Sequence, residues 1–255
     1  MRLFDTHAHY DADAFDADRM EVLSSMPGQG VELILNPGCD LKSSQTAVEL
    51  AERFPFVYAA VGVHPEECAD WNAEHDIPVL EALAQNPKVR AIGEIGLDYH
   101  WAENPPRELQ QQAFHAQLEL AEKLDLPVIV HDRDAHHDCL DIVRAHPNVT
   151  GVYHCYSGGV EDAKTLMKLG WMISFTGSIT FKNARRALEV IDLLPLDRMM
   201  IETDSPYMSP EPFRGRRNDS GRVHLVAEAI ARRKGLDPEE VARITLENGR
   251  RFFRI

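Results

Sequence analysis

Seven side chains able to bind a metal fall at or near the ends of successive short apolar runs. They are His7 and His9 in LFDTHAH, His64 in VYAAVGVHP, Glu94 in VRAIGEIGLD, His131 in PVIVHD, His154 in GVYHCYSG and Asp204 in MMIETDSP. Groups so far apart in the chain can meet only if their strands run side by side in one direction. A closed parallel barrel does this and collects all its strand ends on one face. The pattern therefore constrains the fold and the position of a site together.

Eight apolar, β-branched-rich runs can be picked out, around residues 3–6, 31–36, 57–63, 89–95, 126–131, 150–155, 171–176 and 198–203. Most are too continuously apolar to be half-exposed antiparallel strands, and they read as strands covered on both faces. Helical spacing separates them, as in LKSSQTAVELAERF, in RELQQQAFHAQLELAEKL with Pro105 and Pro106 at its entry, and in VEDAKTLMKLG, which stops on Gly170. Near the C-terminus, Asp237, Pro238 and Glu240 predict a helix opened by a capping box. The alternation is that of an α/β protein, and ligands shared among many strand ends favour a (β/α)8 TIM barrel over an open sheet. The 255 residues suit one such barrel, and no linker or shift of composition divides residues 1–255 into more than one domain.

Composition excludes several classes. No apolar stretch approaches the ~20 residues that span a bilayer, and the N-terminus lacks the pattern of a signal peptide. Cys39, Cys68, Cys139 and Cys155 are widely spaced without a CxxC pair, which reads as reduced thiols in a cytoplasmic protein without membrane partners. A net charge of −14 argues against a protein that coats nucleic acid, although bound cations and a basic loop can invert the field in one cleft. Arg214, Arg216 and Arg217 in PFRGRRND offer such a loop shortly after Asp204. Lys182, Arg185 and Arg186 read as a solvated surface.

Each ligand candidate has a plainer reading. His7 and His9 stand two apart and point to one side of a strand, but histidine pairs also occur in loops. Glu94 is too costly to bury alone in GEIG, and a salt bridge to Arg90 or Arg133 would satisfy it as well as a bridging position between two ions. His131 and His154 taken singly would be core histidines. Taken together these readings fail, because unrelated core residues need not share the mouth of one barrel. Four histidines and two carboxylates suit two ions of borderline hardness, Zn²⁺ or Mn²⁺, and Mg²⁺ less well. Metal-activated hydrolysis with Asp204 as general base is the chemistry expected of such a set.

These segments also resemble a known family. DTHAH, GVHP, IGEIGLDY, PVIVHDRDAH, HCYSG and ETDSPYMSP followed by RGRRN are similar, in order and spacing and over essentially the whole chain, to the TatD metal-dependent deoxyribonucleases within the amidohydrolase-like barrels. The resemblance implies two divalent ions (Zn, Mn or Mg), with His7, His9 and Asp204 on one, His131 and His154 on the other, and Glu94 bridging. It implies hydrolysis of DNA phosphodiesters, 3′–5′ exonuclease-like and acting on single strands or 3′ ends. His64 would then be a secondary site residue contacting phosphate or a further ion, and Arg214, Arg216 and Arg217 would hold backbone phosphates. Asn218-Asp219-Ser220 departs from the family's usual Asn-Glu-Pro and touches the loop facing substrate. In the idiosyncratic HWAENPP stretch, Trp101 reads first as a packed loop residue and second as a surface on which a base could stack.

Two rivals remain. A barrel enzyme cleaving a small amide or ester, or an aminoacyl-tRNA ester, would use a similar metal pair. Many such enzymes carry a carbamylated lysine on the fourth strand, where this chain has Glu94. A non-catalytic scaffold has no need of so many costly polar groups at one mouth. The native metal and the oligomeric state are left open by the sequence.

Overall fold

The computed structural model describes residues 1–255. Eight strands form one sheet in chain order, each pair parallel. They are β1 (Leu3–Asp5), β2 (Val31–Pro37), β3 (Val57–Val61), β4 (Val89–Asp98), β5 (Val128–Arg133), β6 (Gly151–Tyr153), β7 (Met172–Phe175) and β8 (Met199–Ile201). The sheet curls until its ends meet. Thr6 donates its backbone N–H to the Ile201 carbonyl at 3.2 Å, Asp204 to that of His7 at 2.9 Å, and His9 to that of Ser205 at 2.7 Å. The result is the nearly closed (β/α)8 barrel expected from the apolar runs.

Helices cover the outside: α1 (Arg19–Ser25), α2 (Leu41–Arg53), α3 (Ala73–Ala84), α4 (Arg107–Leu124), α5 (His136–Ala145), α6 (Val160–Lys168), α7 (Arg185–Leu193), α8 (Val223–Lys234) and α9 (Pro238–Phe253). None is long and apolar enough to cross a membrane. The capping box lies on α2, not on α9. Ser43 donates its N–H to Asp40 Oδ1 at 2.6 Å, and its hydroxyl oxygen accepts the Asp40 N–H at 2.8 Å. On α9 the short Asp237 carboxylate accepts the nearer N–H, that of Glu239, at 2.8 Å, and Glu240 does not return a bond.

The core has two parts. One fills the space between sheet and helices. The other is a smaller cluster of Phe4, Leu33, Leu35, Ala60, Ala91, Ile129, Val152, Met172 and Met200, joined by Leu246 and Phe253 of α9. Its members come from all eight strands, so this cluster is the inside of the barrel. Side chains two apart on a strand point the same way. His131 therefore follows Ile129 along the interior, His154 follows Val152, and Glu202 and Asp204 follow Met200. An apolar floor passes into a polar layer within one residue pair on several strands at once.

Some strand ends differ from the sequence expectation. β6 stops at Tyr153 and β3 at Val61, because their last residues already turn into the mouth. β4 and β5 instead continue to Asp98 and Arg133, where the two strands stay in register. This extension carries an acid and a guanidinium past Glu94 and His131 to the rim.

Candidate metal centre

Glu94, 2% exposed, stands at the middle of the mouth with histidines on both sides. Its Oε2 is 3.2 Å from His7 Nε2 and 3.4 Å from His9 Nε2. Its Oε1 is 2.6 Å from His154 Nε2, 2.9 Å from His131 Nδ1 and 3.4 Å from His64 Nε2. Asp204 Oδ1 completes the first side, 3.8 Å from His7 Nε2 and 3.6 Å from His9 Nε2. The sequence candidates for metal binding thus converge on one place, and His64 joins them. No arginine pairs with Glu94, so the alternative of a buried salt bridge to Arg90 or Arg133 does not hold.

The donor atoms fit cations. His7 Nε2 and His9 Nε2 approach to 2.9 Å, closer than two such lone-pair nitrogens would sit without something to share. Ligands on a tetrahedral ion at about 2.0–2.1 Å lie roughly 3.3 Å apart. The separations around each oxygen of Glu94 scatter about that value. His7 Nδ1 and His154 Nδ1 are buried without a hydrogen-bond partner. Burial and the adjacent His154 push His7 down to about 4, and burial with His131 does the same to His64. These two rings are therefore neutral at neutral pH, the form that ligates a metal, whereas His9, His131 and His154 are raised by their neighbours and would give up a proton to an incoming cation. Burial would raise the Glu94 carboxyl, but the surrounding histidines, His154 foremost and with a hydrogen bond from His131, outweigh it and hold it well below the ordinary range. Asp204 is different, since burial pushes its carboxyl up to about 6.

A second layer of acids holds the first in place. Asp98 Oδ2 lies 3.0 Å from His131 Nε2, on the far side of the ring from Glu94. Burial opposes the charged ring, yet Asp98 and Glu94 raise His131 to about 9. Glu202, 1% exposed, accepts the Cys155 N–H at 2.6 Å and lies 3.4 Å from His154 Nδ1. Asp5 accepts the Thr203 N–H at 2.8 Å and its hydroxyl at 2.5 Å, tying the first strand to the loop that carries Asp204. Such outer carboxylates fix the tautomer and angle of a ligating ring. Cys39 Sγ, 3.8 Å from His9 Nδ1, is a further donor at the rim. Sequence reasoning gave Asp98, Glu202 and Cys39 no part in the site. Asp98 and Glu202 carried a signal, for they stand four residues after Glu94 and two before Asp204, on the same faces by strand period.

Backbone shape matters at two points. Asp204 takes φ +55°, a conformation that aspartate tolerates better than most residues. Gly96 takes φ +140°, and a Cβ there would lie 2.0 Å from the His131 carbonyl oxygen. Only glycine lets β4 pass β5 this closely, beside the ligand that β5 presents.

The basic loop is less uniform than its sequence. Arg217 is held in a bidentate pair with Asp18 at 2.8 and 2.6 Å and donates to the Ala14 carbonyl. Arg214 lies over the Phe181 ring at 4.4 Å, and Arg216 is exposed. Asn218 is buried, its side-chain amide donating to the carbonyls of Thr203 and Tyr207, while Asp219 caps the next turn at Gly221. Two aromatics face solvent at the rim. Tyr207 is 58% exposed, with its ring 6.4 Å from that of His9. Trp101 is 46% exposed, its ring packed against His100 and Arg133 on part of its surface and open to solvent on the rest.

Comparison with known proteins points one way. The sequence profile of the family described as TatD related DNase matches residues 4–254. An uncharacterized metal-dependent hydrolase of Bacillus subtilis, YabD, is 43% identical over 255 residues and 99% of each chain. The 3′-5′ ssDNA/RNA exonuclease TatD of Salmonella typhimurium is 33% identical over 262 residues, again 99% of each chain. Among solved structures, YJJV, a TatD homolog from Escherichia coli K12, superposes with a TM-score of 0.93 at 31% identity, covering 100% of this chain and 98% of the other.

Proposed function

This chain belongs to the TatD related DNase family and is a metal-dependent hydrolase, and from that premise we propose that it removes nucleotides from the 3′ end of single-stranded DNA with two divalent cations. The observation that carries this reading is the split of Glu94, whose two carboxylate oxygens face different histidine sets. His7, His9 and Asp204 would hold one ion, His131 and His154 the other, and Glu94 would bridge them. The nitrogen-rich set suits Zn²⁺ or Mn²⁺ better than Mg²⁺.

Bound there, such ions would lower the pKa of a water and neutralise charge developing on a phosphodiester. The chain's own groups do the rest. Asp204, with a carboxyl near 6 before any cation is bound and close to the mouth, accepts the proton of the attacking water on its carboxylate. His64, 7% exposed and beside Glu94 Oε1, contacts a phosphate oxygen or a further ion. Arg214, Arg216 and Arg217 line the route of the backbone, the first two with guanidinium groups free of carboxylate partners. The relatives named as ssDNA/RNA exonucleases support a nucleic acid substrate, and the lack of a lysine in the Glu94 run separates the chain from carbamate-bridged amidohydrolases.

The test is a substrate panel on metal-reconstituted protein: 5′-labelled single-stranded DNA, duplex DNA, RNA, aminoacyl-tRNA and a simple phosphodiester, each with Zn²⁺, Mn²⁺ or Mg²⁺. A chelator-sensitive ladder of progressively shortened single strands is expected. Hydrolysis of the aminoacyl ester without any diester cleavage would replace this reading with the esterase one.

A further inference from the structure

Beside His131 the rim holds a cation and an aromatic ring that neither the fold nor the metal centre requires. Arg133 ends β5 two residues after His131, and its guanidinium carbon lies 5.2 Å from the centre of the Trp101 ring. It pairs with no carboxylate, unlike Arg217, held by Asp18, and Arg222, held by Asp219. In a chain of net charge −14 this guanidinium, like those of Arg214 and Arg216, is free to meet an anion, and it alone of the three stands two residues from His131. Trp101 leaves nearly half of its surface in water.

The loop that presents Trp101 is tied down at both ends. His100 donates its N–H to Asp98 Oδ1 at 2.9 Å, and the Asn104 side chain donates to the same oxygen at 3.0 Å. Gln110 accepts the Asp98 N–H at 2.9 Å and donates to the Pro105 carbonyl at 2.8 Å. Tyr99 donates its N–H to the Arg133 carbonyl at 2.9 Å, and the His100 ring meets the indole edge-on with centroids 4.6 Å apart. The other oxygen of Asp98 faces His131 Nε2. One carboxylate therefore positions a candidate metal ligand and anchors the indole loop.

We propose that Arg133 and Trp101 form a nucleotide subsite on the His131 side of the metal centre, the indole stacking on a nucleobase and the guanidinium holding its phosphate. An indole offers any base a π-face, and a guanidinium offers phosphate a planar fork of donors. Because the loop is already ordered, little freedom is lost on binding. The subsite rests on the reading of the chain as a nuclease and names the group that recognises the base next to the cleaved bond. Such a subsite would favour single strands, whose bases are free to leave the stack.

The test separates the subsite from the nuclease reading. Tryptophan emission of the metal-loaded protein is titrated with dAMP, with deoxyribose 5-phosphate and with inorganic phosphate, using Trp171→Phe, buried beside Gly151 at the strand-start end of the barrel, as a control away from the mouth. Quenching by dAMP alone, lost in Trp101→Phe, is expected. In parallel, Trp101→Ala should raise KM for a single-stranded oligonucleotide at least about tenfold more than for the same strand with abasic 3′ residues. Arg133→Met should weaken both alike. Equal losses for Trp101→Ala on the two strands, or no quenching by dAMP in a protein that degrades oligonucleotides, overturn the subsite and leave the nuclease standing. Quenching in a protein that cleaves no diester upholds the subsite and removes the nuclease reading.

Discussion

Asp98 Oδ2 and His131 Nε2 lie 3.0 Å apart, so the ring that turns Nδ1 toward Glu94 is gripped from behind by an acid with no accessible surface. That grip sets which nitrogen faces the cluster. Asp98→Asn keeps the size but removes the charge that favours this orientation. Metal affinity measured by chelator competition should fall about 10- to 100-fold, with the circular dichroism spectrum unchanged. An unaltered affinity would reduce Asp98 to an anchor for the loop after it.

Asp204 differs from the other candidate ligands in lying where a proton can be taken up. Asp204→Asn retains an oxygen toward His7 and His9 but loses the basic carboxylate. Metal content by elemental analysis should stay near that of the native chain while kcat drops by about 10²- to 10⁴-fold. Activity within a few-fold of native would remove Asp204 from the proton's path.

The arginine loop should divide by how each guanidinium is engaged. Arg214→Ala and Arg216→Ala should each raise KM for single-stranded DNA and reduce the slope of log affinity against log salt by about 0.7. Arg217→Ala should do less, since Asp18 already holds that side chain at 2.6 Å and would have to release it. Equal slopes for all three variants would show that Asp18 gives way to phosphate.

Gly96→Ala forces a methyl against the His131 carbonyl. Overpacking of this kind costs about 1–3 kcal/mol, and for a chain this long each kcal/mol moves Tm by roughly 2–4 °C. Thermal melts with and without bound metal should show the larger loss in the metal-bound form, because β5 is displaced where it presents His131. An equal shift in both would mean that the strain is absorbed away from the mouth.

Much of the fold was readable from period alone. Runs buried on both faces, spaced by helical patterns, leave few arrangements other than a parallel barrel, and the barrel then explains why the ligands end those runs. The alternation of side chains also places His131, His154 and Asp204 above Ile129, Val152 and Met200 without any structure. Trp101 and Arg217 were not readable in this way. The exposure of the first follows from a loop folded back onto Asp98, and the pairing of the second joins residues 199 apart in sequence.

The chain by itself determined that imidazoles and carboxylates would gather at one end of a parallel barrel, since local periodicity and strand direction suffice for that. Tertiary structure alone decided which oxygen of Glu94 meets which histidines, that Cys39 would stand beside His9, and which histidine each of Asp98 and Glu202 would meet. The physical reason is register. β1 slips against β2, β3 against β4 and β4 against β5, and each slip shifts a side chain along the mouth by a distance that no single strand encodes.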